Sequence, residues 1–270
     1  MNTIFAIASL TYKEGLKHRV LFGVLVAALF LMTGALLISG FFMRDIVKVL
    51  IDFCLSVTNL GGLLVPFFLT IGMLTGDRDK RTIVTILSQN VSRTQYILGK
   101  YFGLSLLTAT IMCILAMATY FTLLGGSLLY GEYYFKSLSL YSVATSIVLS
   151  YVGISILNGV VFLWCTLTTT SFLATLLTIA TYIIGHSIDD VVRFVESPPP
   201  GVTVATSIVK AVQIFQYVFP NLAAFDHKLT AAHGLAIPLI DSALLCGYGV
   251  SYIAFSLALS VIIFSKRDLC

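Results

Sequence analysis

The sequence has a marked shortage of charge. Only 10% of its 270 residues are charged, against about 25% in an ordinary soluble domain. Hydrophobic residues make up 58%, and the mean hydropathy is +1.00. A soluble chain of this size could not cover its surface with so few charges, and a disordered chain needs low hydrophobicity and high charge. The composition therefore predicts an integral membrane protein.

Recognisable catalytic motifs are also missing. The chain has no phosphate-binding P-loop, because Gly99-Lys100 is followed by Tyr101 and lacks the upstream glycine of that motif. It has no HExxH, no G-x-S-x-G and no paired carboxylates inside an apolar run. The four histidines are scattered, and a metal site formed by His227 and His233 is an alternative to ordinary loop residues. We therefore expect no catalytic, cofactor-binding or metal-binding residues in this chain.

Cysteines and basic residues are too dispersed for several other kinds of site. No two cysteines form a C-x-x-C motif, and four of the five lie in or beside apolar stretches. We expect them to be small buried side chains rather than disulfides or metal ligands. No basic run with interleaved aromatic residues indicates nucleic-acid binding. The cysteines are Cys54, Cys113, Cys165, Cys246 and Cys270.

Long uncharged runs divide the chain into six predicted membrane spans. A membrane-spanning helix needs about 20 apolar residues, and four of the runs fit one span each. The run 137–188 has 52 residues, more than twice what one span requires, so we expect it to fold back at the hydroxyl-rich stretch 165–171. Continuous apolar runs favour helices over a β-barrel. The predicted spans cover residues 20–43, 53–75, 101–126, 141–163, 170–187 and 241–264.

Two further segments complete the predicted all-α fold, a single polytopic membrane domain over residues 1–270. Residues 3–18 have an apolar face and following charges, which predicts an amphipathic helix lying on the cytoplasmic surface. The stretch 188–238 carries a proline-rich break, and residues 203–219 are apolar around Lys210. A central lysine makes this a costly span, so we expect a short amphipathic helix at the outer interface.

The distribution of basic residues predicts the orientation. With both termini cytoplasmic, inner segments hold ten of the 16 Lys and Arg and outer segments six, as the positive-inside rule requires. We therefore expect a multi-pass protein of the plasma (inner) membrane. Asp52 and Asp241 would each begin an inward-running helix at its outer end, where a carboxylate meets the positive pole of the helix dipole. A role in proton coupling is the alternative.

The inner loop, residues 75–100, contains five of the 16 basic residues. Ile83, Ile86 and Leu87 stand at i, i+3 and i+4 and form an apolar stripe on a short predicted helix. A Ser-x-x-Gln capping box at Ser92 then begins the next helix. Two interpretations are open: a solvated basic loop that satisfies the positive-inside rule, or a docking helix that inserts into a cytoplasmic partner.

Several motifs in order along the chain resemble the type-2 permeases of ATP-binding-cassette (ABC) transporters. The branch that serves copper-site maturation of nitrous oxide reductase is among the similar ones. One departure is Arg81-Thr82-Ile83, where many members have Gly-Thr-Leu. The motifs are the acidic-Arg-x-x-x-Thr-Ile pattern at 77–83, Val-Ser-Arg at 91–93, Ile-Leu-Gly-Lys at 97–100, the amphipathic start at 13–17, the Pro-Asn motif at 220–226 and the basic tail at 264–269.

The resemblance implies a transport function with a separate energy source. In that family the loop between spans two and three is a coupling helix that docks on an ATPase subunit, which binds ATP and Mg²⁺. Two six-span halves, either two copies or two related permeases, form the pathway, and outer re-entrant helices join the last two spans. The coupling residues implied are Asp77, Arg78, Asp79, Lys80, Arg81, Thr82, Ile83, Ile86, Leu87 and Arg93. The candidate pathway residues are Asn59, Pro66, Thr170 and Thr178.

Alternative functions would require other features of the sequence. Pro66 has an alternative interpretation as a kink accommodated by neighbouring helices. An ion-coupled secondary transporter would need ionisable groups near the midplane and usually an internal repeat, and the sequence has neither feature. A membrane enzyme would need a catalytic constellation. A non-transporting scaffold or assembly protein stays open as an alternative.

Overall fold

The computed structural model describes residues 2–42, 45–79, 91–135, 138–197 and 206–266 and shows an all-α membrane protein. No strand occurs within these ranges. In the described part of the chain, six helical segments are long and apolar enough to cross a membrane, and each predicted span overlaps one of them. Apolar runs of this length form helices because a helix satisfies its backbone hydrogen bonds internally.

The helices are numbered in chain order. The first half consists of α1 (Asn2–Leu16), α2 (Arg19–Ser39), α3 (Ile46–Leu64), a π-helix (Val65–Thr70), α4 (Ile71–Asp79) and α5 (Arg93–Tyr130). The second half consists of α6 (Glu132–Phe135), α7 (Leu140–Leu167), α8 (Ser171–Glu196), α9 (Thr206–Val218), a 3-10 turn (Ala223–Phe225), α10 (Lys228–Ala232) and α11 (Leu239–Lys266). The second membrane span runs through α3, the π-helix and α4.

The segment before the last span is bent. Ser207–Val218 and Ala223–Ala232 meet at 54° and together are long and apolar enough for a broken span or a re-entrant loop. α9 covers most of the helix predicted at 203–219. The backbone amide of Leu222 donates a hydrogen bond to the Gly185 carbonyl at 2.9 Å, which ties this segment to α8.

The long apolar run 137–188 folds back where the sequence predicts. α7 ends at Leu167 and α8 begins at Ser171, which confirms a turn within 165–171. The Thr170 hydroxyl accepts a hydrogen bond from the Leu173 amide at 3.4 Å and so caps α8. Hydroxyl side chains favour such a break because they offer the backbone partners outside the helical pattern.

Two predictions about single residues need correction. Asp52 does not begin a helix, because α3 starts at Ile46, directly after Asp45. An ion pair of 2.9 Å joins Asp45 to Lys48 in the first turn of α3. Asp241 does lie in the first turn of α11. Cys113 is exposed on the surface of α5, where a neutral thiol is compatible with an apolar surrounding.

α7 lies at the centre of the bundle. It contacts α3, α4, α5, α8, α10 and α11. It carries no charged residue, and buried residues lie on several of its sides, which is typical of a helix buried in a bundle. Gly159 permits the closest approach, because a Cβ there would stand 2.7 Å from the Ser256 hydroxyl on α11. Small residues at helix interfaces serve this purpose in membranes.

The N-terminal helix packs lengthwise along α5 and does not lie flat across the bundle. A Cβ at Gly99 would meet Ile7 at 2.8 Å, and a Cβ at Gly103 would meet the Ala8 carbonyl at 2.6 Å. Further along both helices, a Cβ at Gly15 on α1 would meet the Leu107 side chain on α5. These contacts advance together along both helices, so α1 and α5 run side by side in the same direction. The small residues of a G-x-x-x-G pattern allow this close packing.

Candidate functional site

The site lies where α4 ends and α5 begins, on both sides of residues 80–90. α5 starts with the predicted capping box: the Gln95 amide donates to the Ser92 hydroxyl at 3.2 Å, and the Ser92 amide donates to the Gln95 side chain at 3.1 Å. This fixes the start of α5, so that Arg93, Tyr96 and Lys100 fall on one side of the helix at i, i+3 and i+7.

A buried ion pair joins the two helices. The ammonium of Lys100 lies 2.6 Å from the carboxylate of Asp77 at the end of α4, and the side chains are only 5% and 13% exposed. The Tyr96 hydroxyl donates a hydrogen bond of 2.7 Å to the same carboxylate oxygen. Charge-assisted contacts of this length are strong, and buried charges require such partners.

The N-terminal helix contributes a second carboxylate to this cluster. Glu14 on α1 places a carboxylate oxygen 3.9 Å from the Lys100 ammonium, and its side chain is largely exposed. Lys100 therefore faces one carboxylate from α4 and one from α1. We refer to Glu14, Asp77, Tyr96 and Lys100 as the charged junction.

Arg93 ties the start of α5 to the last span. Its guanidinium donates hydrogen bonds to the backbone carbonyls of Phe264 at 2.8 Å and Ser265 at 2.9 Å. These carbonyls lie in the final turn of α11, where a helix lacks internal partners and carries the negative end of its dipole. The guanidinium also lies 5.9 Å from the centre of the Phe264 ring, which stacks with Tyr96.

The predicted coupling residues are only partly described. Asp77 belongs to the charged junction and Arg93 binds α11. The backbone of α4 includes Arg78 and Asp79, whose side chains lie outside the described part. The predicted docking stripe falls within 80–90 and also lies outside the described residues. The coupling residues outside the described ranges are Lys80, Arg81, Thr82, Ile83, Ile86 and Leu87.

The four candidate pathway residues have different settings. Asn59 lines a cavity of about 30 Å³, enough for one or two waters. Pro66 is buried inside the π-helix, whose geometry accommodates a residue without a backbone N–H. Thr178 is fully buried and donates to the Ala174 carbonyl, whereas Thr170 caps α8.

The cavity beside Asn59 also has ionisable walls. His186 and Asp226 line it, and the imidazole Nε2 lies 4.0 Å from the Asp226 carboxylate. The Lys228 ammonium lies 3.0 Å from the same carboxylate. The His186 Nδ1 is buried and makes no hydrogen bond to a described residue. The volume of this cavity suits water rather than a larger molecule.

A buried polar network that the sequence did not predict links three helical segments. The Thr70 hydroxyl in the π-helix donates to the Asn158 side-chain oxygen at 2.8 Å. The Asn158 amide nitrogen donates to the Thr108 hydroxyl on α5 at 3.2 Å. All three side chains are fully buried. One signal was available, because Asn158 is the only amide side chain in the uncharged run 137–188.

The sequence did not predict the pairing of Lys100, which ends the inner loop and the Ile-Leu-Gly-Lys motif. The G-x-x-x-G pattern of Gly99 and Gly103 was a signal that another helix packs beside it. Among the described residues, no three His, Cys, Asp or Glu side chains come together to hold a metal ion. His227 and His233 in particular do not form such a group.

The charged junction and Arg93 connect the ends of four helices. The junction joins α1, α4 and α5, and Arg93 joins α5 to α11. This arrangement holds the end of α4 against the start of α5 and ties both to α1 and to the last turn of α11. Comparison with models of known protein families and with curated proteins finds no match.

Proposed function

We propose that this chain is the membrane-spanning subunit of an ABC transporter, in which a separate ATPase subunit drives alternating access. The charged junction is the observation that carries this proposal. It joins Asp77, near the end of α4, to Lys100 on α5. The two residues lie on either side of residues 80–90. A docking segment must be anchored firmly at its base if a movement of its partner is to reach the membrane spans.

Further contacts connect the start of α5 to α1 and to the last span. Glu14 lies beside Lys100, and Arg93 holds the final turn of α11. A displacement of residues 80–90 would therefore act on the second, third and sixth spans and on α1 together. Such rigid-body motion of helices is a known means of switching between states.

The proposal includes the partners that the resemblance to type-2 permeases implies. The apolar stripe of Ile83, Ile86 and Leu87 would insert into the ATPase, with the nearby charges setting its orientation. ATP and Mg²⁺ would bind to that subunit. A second copy of this chain, or a related permease, would supply the other half of the pathway. The docking surface would be cytoplasmic, on the plasma (inner) membrane.

A second candidate function is ion-coupled secondary transport. One observation favours it: His186 and Asp226 line a water-sized cavity between helices, and ionisable residues in such places mark ion routes in transporters. Lys228 already pairs with Asp226, which reduces the capacity of this carboxylate to take up a cation. We therefore rank this function second, with a scaffold role third.

The deciding experiment is co-purification in a mild detergent. The full chain is purified from its native membranes, and the ATP hydrolysis of the preparation is measured with the chain present and after its removal. We expect an ATPase subunit in stoichiometric amount, with a hydrolysis rate that depends on the chain. No associated ATPase, together with substrate movement that follows an ion gradient, would favour the second candidate.

A further inference from the structure

Three basic residues at the corner between α1 and α2 make no ion pair or side-chain hydrogen bond with any residue that the structure describes. Ten Lys and Arg residues have described side chains, and five of them make an ion pair or a hydrogen bond. The other five make neither, and three of these fall within seven consecutive residues. The unpartnered residues are Lys13, Lys17, Arg19, Lys210 and Lys266.

The corner is held in place by the packing of α1. Ile7, Thr11 and Gly15 are buried on the side of α1 that faces α5. Lys13 and Lys17 are exposed, one turn apart, on the side that faces away from α5. The cations therefore stand on a fixed surface.

Little negative charge compensates these residues. Glu14 is the one nearby carboxylate on α1, and it is directed towards Lys100. α2 begins at Arg19 with no acidic residue in its first turn, and the side chain of His18 makes no capping hydrogen bond. The positive end of the α2 dipole thus adds to the charge of the three cations.

Exposed apolar side chains lie next to the cations along the chain. Leu16 directly precedes Lys17, and Phe22, which is 73% exposed, lies one turn after Arg19 on α2. Because Arg19 is the first residue of a membrane-spanning helix, this corner lies at the level where the apolar part of a bilayer ends. An occupant must combine negative charge with apolar chains.

We propose that Lys13, Lys17 and Arg19 form a binding site for the headgroup of an anionic phospholipid, whose acyl chains cover the neighbouring apolar side chains. Clusters of basic residues next to the end of a span attract anionic lipids in this way. Because Leu16 and Phe22 place these cations beside the acyl chains of the bilayer, a lipid headgroup satisfies both the charge and the apolar surrounding, whereas a free anion satisfies only the charge. The site is independent of the transport function proposed above.

The test measures which lipid the full chain retains. The protein in detergent is incubated with mixed micelles of equal amounts of phosphatidylglycerol and phosphatidylcholine and repurified, and the bound lipids are measured by mass spectrometry. We expect the wild type to retain an excess of phosphatidylglycerol. Replacing Lys13, Lys17 and Arg19 by Gln should abolish most of that excess, because each cation contributes roughly fivefold to the affinity.

Matched variants separate the site from a general effect of charge. Lys210→Gln with Lys266→Gln removes two other unpartnered cations and should leave the excess unchanged, and Lys13→Arg with Lys17→Arg should preserve it. If the triple variant unfolds, Lys13→Gln and Lys17→Gln are measured singly, and each should give a partial loss.

Three results would overturn the proposal. The first is equal retention of the two lipids by the wild type. The second is a phosphatidylglycerol excess that survives in the triple variant or in both single variants. An equal fall of this excess in the variant with Lys210→Gln and Lys266→Gln counts as the same result. The third is displacement of phosphatidylglycerol by excess inorganic phosphate, which would show a site for free anions.

Discussion

The carboxylate of Asp77 and the ammonium of Lys100 lie 2.6 Å apart, although a segment of the chain with several charges separates them. Both side chains are largely shielded from solvent, and the Tyr96 hydroxyl binds the same carboxylate oxygen. Removing the charge of one partner takes the closest counter-charge from the other in a largely buried setting, which is costlier than the loss of a surface pair. This relationship gives the first test.

Breaking the Asp77–Lys100 pair from one side should destabilise the fold strongly. We expect Lys100→Met and Asp77→Leu each to lower the free energy of unfolding by about 3 kcal/mol, because each removes the closest counter-charge of a largely buried group. The double variant Asp77→Leu with Lys100→Met should recover much of this loss. The measurement is denaturant unfolding in detergent micelles, analysed as a double-mutant cycle.

A surface pair provides the control for that cycle. Lys48 and Asp45 form an ion pair in which both side chains are about half exposed, so Lys48→Met should cost less than ~1 kcal/mol. Additive effects of the two single changes at Asp77 and Lys100 would show that the residues do not interact.

Close packing of α1 on α5 predicts a large effect at Gly103. A Cβ there would stand 2.6 Å from the Ala8 carbonyl, so Gly103→Ala should push the helices apart and destabilise the fold by about 1–3 kcal/mol. Gly34→Ala on α2 is the control, because a Cβ there meets nothing within 4 Å, and this change should be neutral or stabilising. Unfolding in detergent and protease cleavage after α1 measure both effects, and equal stability of the two variants would contradict the packing.

The network at Asn158 predicts a smaller loss. Asn158→Leu keeps the approximate volume but removes the hydrogen bonds with Thr70 and Thr108. Interhelical hydrogen bonds in membranes contribute about 0.6 kcal/mol on average, so we expect a loss of roughly 1–2 kcal/mol. Thr33→Val removes an exposed hydroxyl that bonds only within its own helix and should change stability little. A gain of stability in Asn158→Leu would be the opposite of the expected result.

The proposed docking stripe can be tested at one residue. Ile86→Asp places a charge in the apolar stripe, so it should abolish association with the ATPase while the chain still inserts into the membrane. Ser88→Asp adds the same charge on the polar side of the predicted helix and should preserve the complex. Co-purification and ATP hydrolysis are the measurements. Equal association of both variants would favour a solvated loop.

The orientation can be tested by labelling substituted cysteines. In a chain whose native cysteines are replaced, Ser88→Cys and Ser197→Cys place a thiol at opposite ends of the predicted spans. A membrane-impermeant maleimide should label position 197 in intact cells and position 88 only after permeabilisation, because the positive-inside rule places residue 88 in the cytoplasm. The reverse pattern would mean that both termini lie outside.

The sequence by itself determined the features that depend on neighbouring residues. Six helices follow from the lengths of the uncharged runs, since each run must match the thickness of a bilayer. The capping box at Ser92 and the turn before Ser171 are likewise local, because a cap requires only residues within one turn. The prediction for Asp52 was wrong because a flanking charge, Lys48, is accommodated within the first turn of α3.

Only the tertiary structure decided which distant residues meet. The sequence placed Lys100 at the edge of a span, but its pairing with Asp77 and Glu14 depends on how α1, α4 and α5 are rotated and aligned along one another. The same holds for the contact of Asn158 with Thr70 and Thr108. Apolar content along a chain specifies that helices cross the membrane, whereas their rotation and alignment come from the close packing of side chains between helices.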